Sequence, residues 1–325
     1  MLDTVVAAMS PALYCQTFFL AAAAGILALQ MLPRRLRAAL TEYGARRPDA
    51  DDDARRSSSS SAAVHGQPQS AQSSPPGLIA SLAGLIRHHG QVPHSWFWHF
   101  YLVSLSWSVF WAWQYLSRGS AMETLARAQA RSDAPSTQMG RVILAWSMLA
   151  LQGARRLYEC FRVVKPGPSP MLVAHWIMGL AFYTAINTSV WVHGSGPIIA
   201  SWASREYPVL LTTRVPFALA LFFAAWLKQN ECHSYLAGLN KYTLPSGGLF
   251  SHIVCPHYTC ESVIYLAIAL MAAPAGSLFN ASVLCGLTFV VVNLGATAHG
   301  TKQWYAAKFG PEPVASRWNM IPFVF

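Results

Sequence analysis

One uncharged stretch of the chain restricts most what it can fold into. Residues 262–301 contain no Lys, Arg, Asp or Glu over 40 residues. A helix needs about 20 predominantly apolar residues to cross a bilayer, so this stretch predicts two spans with a turn at Pro274, Gly276 and Ser277. Only 11% of the 325 residues are charged, against about 25% in soluble proteins. We therefore expect a membrane protein and not a soluble or disordered chain.

Other uncharged runs predict further membrane helices. Three of them are long, and two weaker ones are 13 residues each; in chain order they are residues 11–32, 95–116, 142–154, 171–192 and 215–227. The run 95–116 is rich in Trp, Phe and Tyr, which settle at membrane interfaces. With the two spans of residues 262–301, the pattern predicts an all-α integral membrane protein with about seven transmembrane helices in one bundle.

The distribution of positive charge predicts the orientation of the bundle. If the spans alternate in direction, four segments share one face: residues 33–94, 155–170, 228–259 and the tail after 299. They hold 17 of the 23 Lys and Arg residues. Because cytoplasmic loops carry an excess of Lys and Arg, we place these segments and the C-terminus in the cytosol. The net charge of +10 therefore belongs to membrane loops, and no nucleic-acid partner is expected.

The N-terminal third divides into an anchor and a loop. Arg34 and Arg35 follow the first apolar run, whereas a cleaved signal peptide carries its basic residues before that run. Residues 1–32 are thus predicted to be a retained transmembrane anchor. Residues 33–94 are predicted to form a cytosolic loop. We expect this loop to be largely disordered at 46–77, because a segment rich in Ser, Pro, Asp and Arg has few apolar side chains to bury. The six scattered cysteines predict reduced thiols and no disulfide framework.

Polar and ionisable residues concentrate in the last hundred residues, at the predicted cytosolic helix ends. Such residues are costly near a membrane and are often functional. The first group follows residues 215–227 and comprises Gln229, Asn230, Cys232, His233, Ser234, Asn240, Lys241 and Tyr242. If the helix continues, Asn230, Ser234 and Lys241 form one polar stripe. The alternative is a solvated helix end whose Lys suits the helix dipole.

A second group spans residues 242–261. Gly247 and Gly248 permit close backbone approach to a ligand, although the same glycines suit a plain turn. His257 and Glu261 are four residues apart and would project from one helical face. Cys255, His257 and Cys260 match no standard zinc spacing, so no metal site is expected.

Three further sets of residues are candidates. The tail carries His299, Lys302, Gln303, Trp304, Tyr305, Lys308 and Arg317, whose alternative role is an aromatic and basic interfacial anchor. Arg155, Arg156 and Glu159 stand at a predicted helix end, where the arginines would suit a polyanionic cofactor. His99 and Tyr101 are two side chains of an aromatic helix that can form strong hydrogen bonds. The alternative is that they are core residues whose polar atoms simply hydrogen-bond to neighbours.

Six pieces of sequence carry a family resemblance. They are residues 92–101 (VPHSWFWHFY), 151–160 (LQGARRLYEC), 232–239 (CHSYLAGL), 242–250 (YTLPSGGLF), 255–261 (CPHYTCE), and 304–309 (WYAAKF) with the terminal IPFVF. In this order they resemble the steroid 5α-reductase family, and most closely its polyprenal reductase branch. The resemblance implies that residues 95–325 form a membrane reductase domain similar to 3-oxo-5α-steroid 4-dehydrogenase.

The family resemblance implies an NADPH-dependent enzyme of the endoplasmic reticulum membrane. The residues that match the cofactor-contacting stretches of the family are Arg156, Asn230, His233, Ser234, Lys241, Tyr242, His257 and Tyr305. The chain departs from the family at three places. Asn240 stands where the branch usually has Arg, His257 stands where the family often has Asn, and Gly153 stands where steroid enzymes have Tyr. The third departure argues against a steroid held as those enzymes hold it.

The resemblance also implies a reaction, which we expect to follow from the chemistry of hydride. A hydride is a nucleophile, and it adds to a carbon–carbon double bond that is conjugated to a carbonyl. The expected reaction is reduction of the α-isoprene double bond of polyprenal to dolichal, in dolichol synthesis for protein N-glycosylation. Tyr101, His99 and Glu261 are the candidate catalytic residues. The alternatives are a membrane methyltransferase acting on prenylated substrates, a 3-oxo-steroid 5α-reductase, and a non-catalytic scaffold or transporter.

Overall fold

The fold is known from a computed structural model that describes residues 9–33, 37, 90–132, 135–164, 170–204, 213–240 and 243–325. Its α-helices in chain order are α1 Pro11–Gln30, α2 Trp98–Ser117, α3 Ser120–Ala130, α4 Met139–Arg162, α5 Val173–Ser189, α6 Ser195–Ser204, α7 Arg214–Gly238, α8 Pro256–Met271, α9 Ala281–Phe309 and α10 Glu312–Ala315. Short 3₁₀ turns occupy His94–Phe97, Val192–Gly194 and Gly248–Ser251. The prediction of a mostly helical fold is confirmed.

Seven of these helices have 16 or more residues, and each coincides with one of the predicted apolar runs: α1, α2, α4, α5, α7, α8 and α9. Among the described residues, α1 and α9 are long and apolar enough to cross a membrane. Seven membrane crossings are therefore not confirmed, and the crossing of the other five helices stays a prediction. The predicted disordered loop at 46–77 lies outside the described residues.

Several helices extend beyond the apolar runs that predicted them. Helix α4 continues from the predicted end at residue 154 to Arg162, and α9 runs through the polar tail to Phe309. Polar residues interrupt an apolar run in the sequence, but they do not end the helix, because their side chains find partners on neighbouring helices. Helix α7 also extends beyond its predicted end at residue 227, but it ends at Gly238, before it could reach Lys241. The predicted stripe of Asn230, Ser234 and Lys241 is therefore wrong as one helical face.

The largest hydrophobic core joins six of the long helices. Phe19 of α1, Ile186 of α5, Phe222 of α7 and Ile264 of α8 are fully buried in it, together with side chains of α4 and α9. A second cluster, around Trp111, Trp191 and other apolar residues, packs α3 and α6 against one end of the bundle. Burial of these side chains is the main contribution that holds the helices together.

The opposite end of the bundle collects the loops that were predicted to share one face. A two-stranded antiparallel ladder, β1 Gln91–Pro93 with β2 Pro170–Leu172, joins the first two of them; this ladder was not predicted. The C-terminal segment closes on the third, since the Val254 N–H donates to the Trp318 carbonyl at 2.8 Å and Arg317 donates to the Pro245 carbonyl at 2.6 Å. Which side of a membrane this end faces stays a prediction.

Asn280 stabilises the turn between α8 and α9. Its fully buried side chain accepts from the Val283 N–H at 3.1 Å, as the N-cap of α9, and donates to the carbonyls of Ala272 (3.2 Å) and Ser189 (3.3 Å). One amide therefore joins the ends of α5 and α8 to the start of α9. The predicted turn in the 40-residue uncharged stretch is confirmed, because α8 ends at Met271.

Asn280→Ala should lower the stability of the bundle. The change removes a helix cap and the Asn280 donor to the Ser189 carbonyl, at a cost of about 2 kcal/mol, whereas the Ala272 carbonyl keeps its hydrogen bond from Thr137. The midpoint of thermal unfolding of the purified protein measures this loss. Asn293→Ala, in the middle of the same helix, is the matched control and should change stability by less than about 0.5 kcal/mol. Equal effects of the two substitutions would contradict the role of Asn280.

Candidate active site

The carboxylate of Glu159 is the centre of a polar network at the loop-rich end of the bundle. Glu159 lies on α4 and is 0% exposed. Its Oε1 accepts from Arg155 Nη1 at 2.7 Å and from Asn230 Nδ2 at 2.8 Å. Its Oε2 accepts a hydrogen bond from Arg156 and lies 2.7 Å from His233 Nδ1. A buried carboxylate needs such partners, because an unpaired one costs several kcal/mol.

Arg156 connects this carboxylate to Tyr101 on α2. The Nε and Nη2 atoms of Arg156 both donate to the Tyr101 hydroxyl oxygen, at 3.1 and 2.8 Å. The guanidinium also lies over the Tyr101 ring, 4.9 Å from its centroid. A phenol oxygen has two acceptor sites and one proton. Arg156 occupies both acceptor sites, so the Tyr101 hydroxyl is left to act as a hydrogen-bond donor beside a positive charge.

A second branch of the network reaches Glu261 on α8. Arg155 Nη2 donates to Gln152 at 2.8 Å and also to Gln229. The Nε2 atoms of Gln152 and Gln229 both donate to Glu261 Oε2, that of Gln152 at 3.0 Å. The network thus contains two guanidiniums and two carboxylates, and it joins α2, α4, α7 and α8.

The surroundings shift the pKa values of the acid and the imidazole. Burial alone would raise the pKa of Glu159, but the hydrogen bond from His233 and the charge of Arg156 lower it to about 2. Burial, followed by the charge of Arg156, lowers the pKa of His233 to about 4, against the opposing effect of Glu159. At neutral pH the carboxylate is therefore ionised and the imidazole is neutral.

The structure brings six of the predicted site residues together. Tyr101, Arg156, Asn230, His233, His257 and Glu261 lie in or against the network. His99 lies apart from it, since its Nδ1 faces the indole N–H of Trp176 at 3.3 Å. Ser234 is exposed, and Tyr305 packs on a separate cluster around Val254, Cys255 and Met320. Lys241 and Tyr242 lie outside the described residues. The roles of all these residues stay predictions.

Gln152 was not named in the sequence analysis, and Arg155 and Glu159 were named only as part of a helix-end set that would suit a polyanionic cofactor. A sequence signal for all three as one buried site exists. Together with Arg156 they occur at positions i, i+3, i+4 and i+7, which is one face of a helix. Two arginines, a glutamine and a glutamate on the inward face of an otherwise apolar helix indicate a buried polar site.

Two features at this end could receive part of a dinucleotide. His257 Nδ1 is buried and has no hydrogen-bond partner among the described residues; burial, and then the charges of His233 and Arg156, lower the pKa of this imidazole well below its usual value. A groove of about 340 Å³ lies between α9 and the C-terminal segment. It is lined by His299, Lys302 and Asn319, and the Asn319 Oδ1 is likewise buried without a described partner. Lys302 and the His257 imidazole can donate hydrogen bonds, whereas Asn319 Oδ1 can only accept one, so this end offers both donors and acceptors to a polar cofactor.

The pKa shifts predict a loss of stability in acid. The pKa of His233 in the folded protein, about 4, is below its ordinary value of 6.5. Between these two pH values, the unfolded chain binds a proton at this imidazole that the folded protein does not bind. The stabilisation is present above pH 6.5, and about 2 kcal/mol of it is lost by pH 4.5. Glu159 adds a further loss as the pH falls from 4.5 towards 2.

Thermal unfolding midpoints at pH 7 and pH 4.5 test this prediction. His233→Gln should reduce the acid-induced drop in the unfolding midpoint. The part of the drop that remains is due to buried His257. His252→Gln, at an exposed histidine of the same end, should leave the drop unchanged. An identical drop in the wild type and in His233→Gln would contradict the assignment.

Comparison with known proteins supports the resemblance seen in the sequence. Residues 169–325 match the sequence model of the family described as 3-oxo-5-alpha-steroid 4-dehydrogenase. A polyprenal reductase of Xenopus tropicalis is 29% identical over 267 residues, which cover 72% of this chain and 80% of that protein. Polyprenal reductase 1 of Arabidopsis thaliana is 26% identical over 297 residues, covering 79% and 91%.

A third relative gives the same result. A polyprenal reductase of Drosophila melanogaster is 28% identical over 269 residues, covering 72% of this chain and 77% of that protein. The relatives therefore match most of the chain, beyond residues 169–325 alone. The resemblance to the steroid 5α-reductase family is confirmed, since residues 169–325 match the model of the 3-oxo-5-alpha-steroid 4-dehydrogenase family and the named relatives are polyprenal reductases.

Proposed function

We propose that the chain is an oxidoreductase that uses NADPH to reduce the α-isoprene double bond of polyprenal, giving dolichal. The family and the named polyprenal reductases support the reaction class and the substrate. The observation in the structure that carries the proposal is the state of the Tyr101 hydroxyl. Because Arg156 occupies both of its acceptor sites, this hydroxyl can only donate a hydrogen bond. A donor of this kind is what the carbonyl oxygen of an unsaturated aldehyde requires.

The chemistry selects the aldehyde and not the alcohol. When bound, NADPH supplies a hydride for the β-carbon of the substrate. Negative charge then develops on the carbonyl oxygen as an enolate, whereas an allylic alcohol offers no such acceptor. A pre-positioned donor in a site that excludes water stabilises this charge far better than water does. Protonation of the α-carbon completes the reduction.

Each residue of the network has a role in this proposal. Tyr101 donates its proton in a hydrogen bond to the carbonyl oxygen, and the Arg156 guanidinium strengthens that donor. Glu159 holds Arg156 in place by accepting from its Nη1. Glu261 is a second proposed catalytic group, because Gln152 and Gln229 hold its Oε2 in the same network. His99, which lies apart with Trp176, is the weaker of the two donors considered.

The proposed cofactor contacts are Arg156, Asn230, His233, Ser234, Lys241, Tyr242, His257 and Tyr305. His257 has the strongest support among them, since its Nδ1 lacks a partner among the described residues. Asn230 and His233 already contact Glu159, so they support the cofactor site by holding that carboxylate.

The proposed setting is the endoplasmic reticulum membrane, with the polar end of the bundle in the cytosol and the product used in dolichol synthesis for protein N-glycosylation. A long isoprenoid can remain in lipid while its aldehyde enters the polar network. Two helices capable of crossing a membrane support membrane association. Endoplasmic reticulum residence and a cytosolic C-terminus are part of the proposal.

The substrate assignment is tested by supplying polyprenal and polyprenol separately, with NADPH, to the purified full chain. We expect saturation of the α-isoprene unit of polyprenal only, with NADPH consumed in equal amount. Mass spectrometry of the lipid and absorbance of NADPH measure the two sides of the reaction. Saturation of a 3-oxo-steroid but not of polyprenal would favour the steroid alternative. A methylated product formed with adenosylmethionine, without NADPH consumption, would favour the methyltransferase alternative.

Tyr101→Phe should lower kcat for polyprenal by about 100- to 1,000-fold, because removal of one pre-positioned donor costs that much at an oxyanion site. NADPH affinity, measured by fluorescence titration, should remain within about twofold. Tyr115→Phe is the matched control: this tyrosine lies on the same helix, and its hydroxyl is 3.0 Å from Ser201 Oγ. Full activity of Tyr101→Phe would remove Tyr101 as the donor even if the reaction is correct.

A further inference from the structure

A groove runs between α7 and α8 at the end of the bundle opposite to the polar network. Arg214 begins α7 and Leu270 stands near the end of α8, whereas Gln229 and Glu261 lie at the other ends of these helices. The groove has a volume of about 600 Å³, within the range of about 300–1,000 Å³ that is usual for small-molecule sites. No step of the proposed reaction uses it.

The walls of this groove are apolar and open to the outside of the bundle. Phe217, Leu221, Leu266 and Leu270 line it along the two helices, and Leu278 lines it from the turn between α8 and α9. Phe217 is 63% exposed and Leu278 is 61% exposed. Large apolar side chains in such a concave patch favour an apolar occupant.

Positive charge lies at one end of the groove. The Nη1 of Arg214 donates to the Ser277 carbonyl at 2.9 Å, which holds this side chain across the groove end. Behind it, buried Arg141 donates to the carbonyls of Met271 at 3.0 Å and Leu270 at 3.1 Å. In the part of the chain that the structure describes, no carboxylate forms an ion pair with either arginine.

The electrostatics and the length of the groove both indicate its occupant. Burial, and then the charge of Arg214, lower the pKa of Arg141, so two guanidiniums repel each other there and an anion would relieve the repulsion. Arg214 and Leu221 are seven residues apart, which is about 10 Å along a helix. That length lies within one leaflet, since half the hydrocarbon core is about 15 Å.

We propose that this groove binds a phospholipid with an anionic headgroup. Arg214 hydrogen-bonds the lipid phosphate, as guanidinium groups do well, and one acyl chain lies against Phe217, Leu221 and Leu266. A headgroup with a choline cation is disfavoured, because that cation would approach two arginines. The isoprenoid substrate is an unsuitable occupant, since its uncharged chain makes no use of Arg214. The inference rests on the proposed membrane residence and not on reductase activity.

The full chain, purified into nanodiscs of phosphatidylcholine containing a minor fraction of phosphatidylglycerol, provides the test. Native mass spectrometry after release into detergent measures which lipids remain bound. The wild type should retain phosphatidylglycerol in preference to phosphatidylcholine, and Arg214→Gln should reduce that preference about fivefold, the effect of one basic residue near anionic lipid. Arg131→Gln, at an exposed arginine of the same end, should leave it unchanged.

A conservative variant covers the case in which Arg214→Gln is poorly folded. Arg214→Lys retains the charge and should keep the preference within about twofold of the wild type. An unchanged preference in Arg214→Gln, or a complete loss in Arg214→Lys, would overturn the lipid site alone. Displacement of phosphatidylglycerol by added polyprenal would also overturn it and assign the groove to the substrate chain. Failure of the wild type to enter nanodiscs would overturn membrane residence and the lipid site together.

Discussion

The burial of one carboxylate determines the arrangement of the polar end of this protein. Glu159 is fully shielded from solvent, yet it stays ionised because α4 and α7 direct Arg155, Arg156, Asn230 and His233 towards it. Charges in such surroundings are tolerated only when they are paired and hydrogen-bonded. The pairing therefore constrains how α4 and α7 can pack, and through Arg156 it also orients Tyr101 on α2.

This arrangement links stability to chemistry. The contacts that compensate the buried charge of Glu159 are the same contacts that hold Arg156 against the Tyr101 oxygen. In the proposed reaction, the Tyr101 donor is thus oriented before the substrate binds, which is the condition under which a hydrogen bond contributes most to a transition state. A second carboxylate, Glu261, balances the second guanidinium through two glutamines. The network carries no excess charge, and so it can exist among apolar helices.

The two ends of the bundle provide hydrogen-bond partners for their polar groups in different ways. At one end, polar and charged side chains from four helices hydrogen-bond to one another in a polar network. At the other end, Asn280 and Arg141 satisfy backbone carbonyls where α8 stops and the chain turns back. Arg214 continues this pattern at the outer surface, beside an apolar groove. In the two proposals, the reduction of an isoprenoid aldehyde and the binding of a phospholipid therefore occupy opposite ends of one fold.

Sequence patterns determined the positions of the seven long helices, because an apolar run is a local property. They also indicated the turn near Pro274 and the face of α4 that carries Arg156 and Glu159. Only the tertiary structure decided which polar residues meet. His99 and Tyr101 are two residues apart, yet they point to different neighbours, Trp176 and Arg156. Helix α7 stops at Gly238, before Lys241 could extend the expected stripe. Local composition specifies where helices form, whereas the partners of a buried charge depend on packing between helices that are distant in the chain.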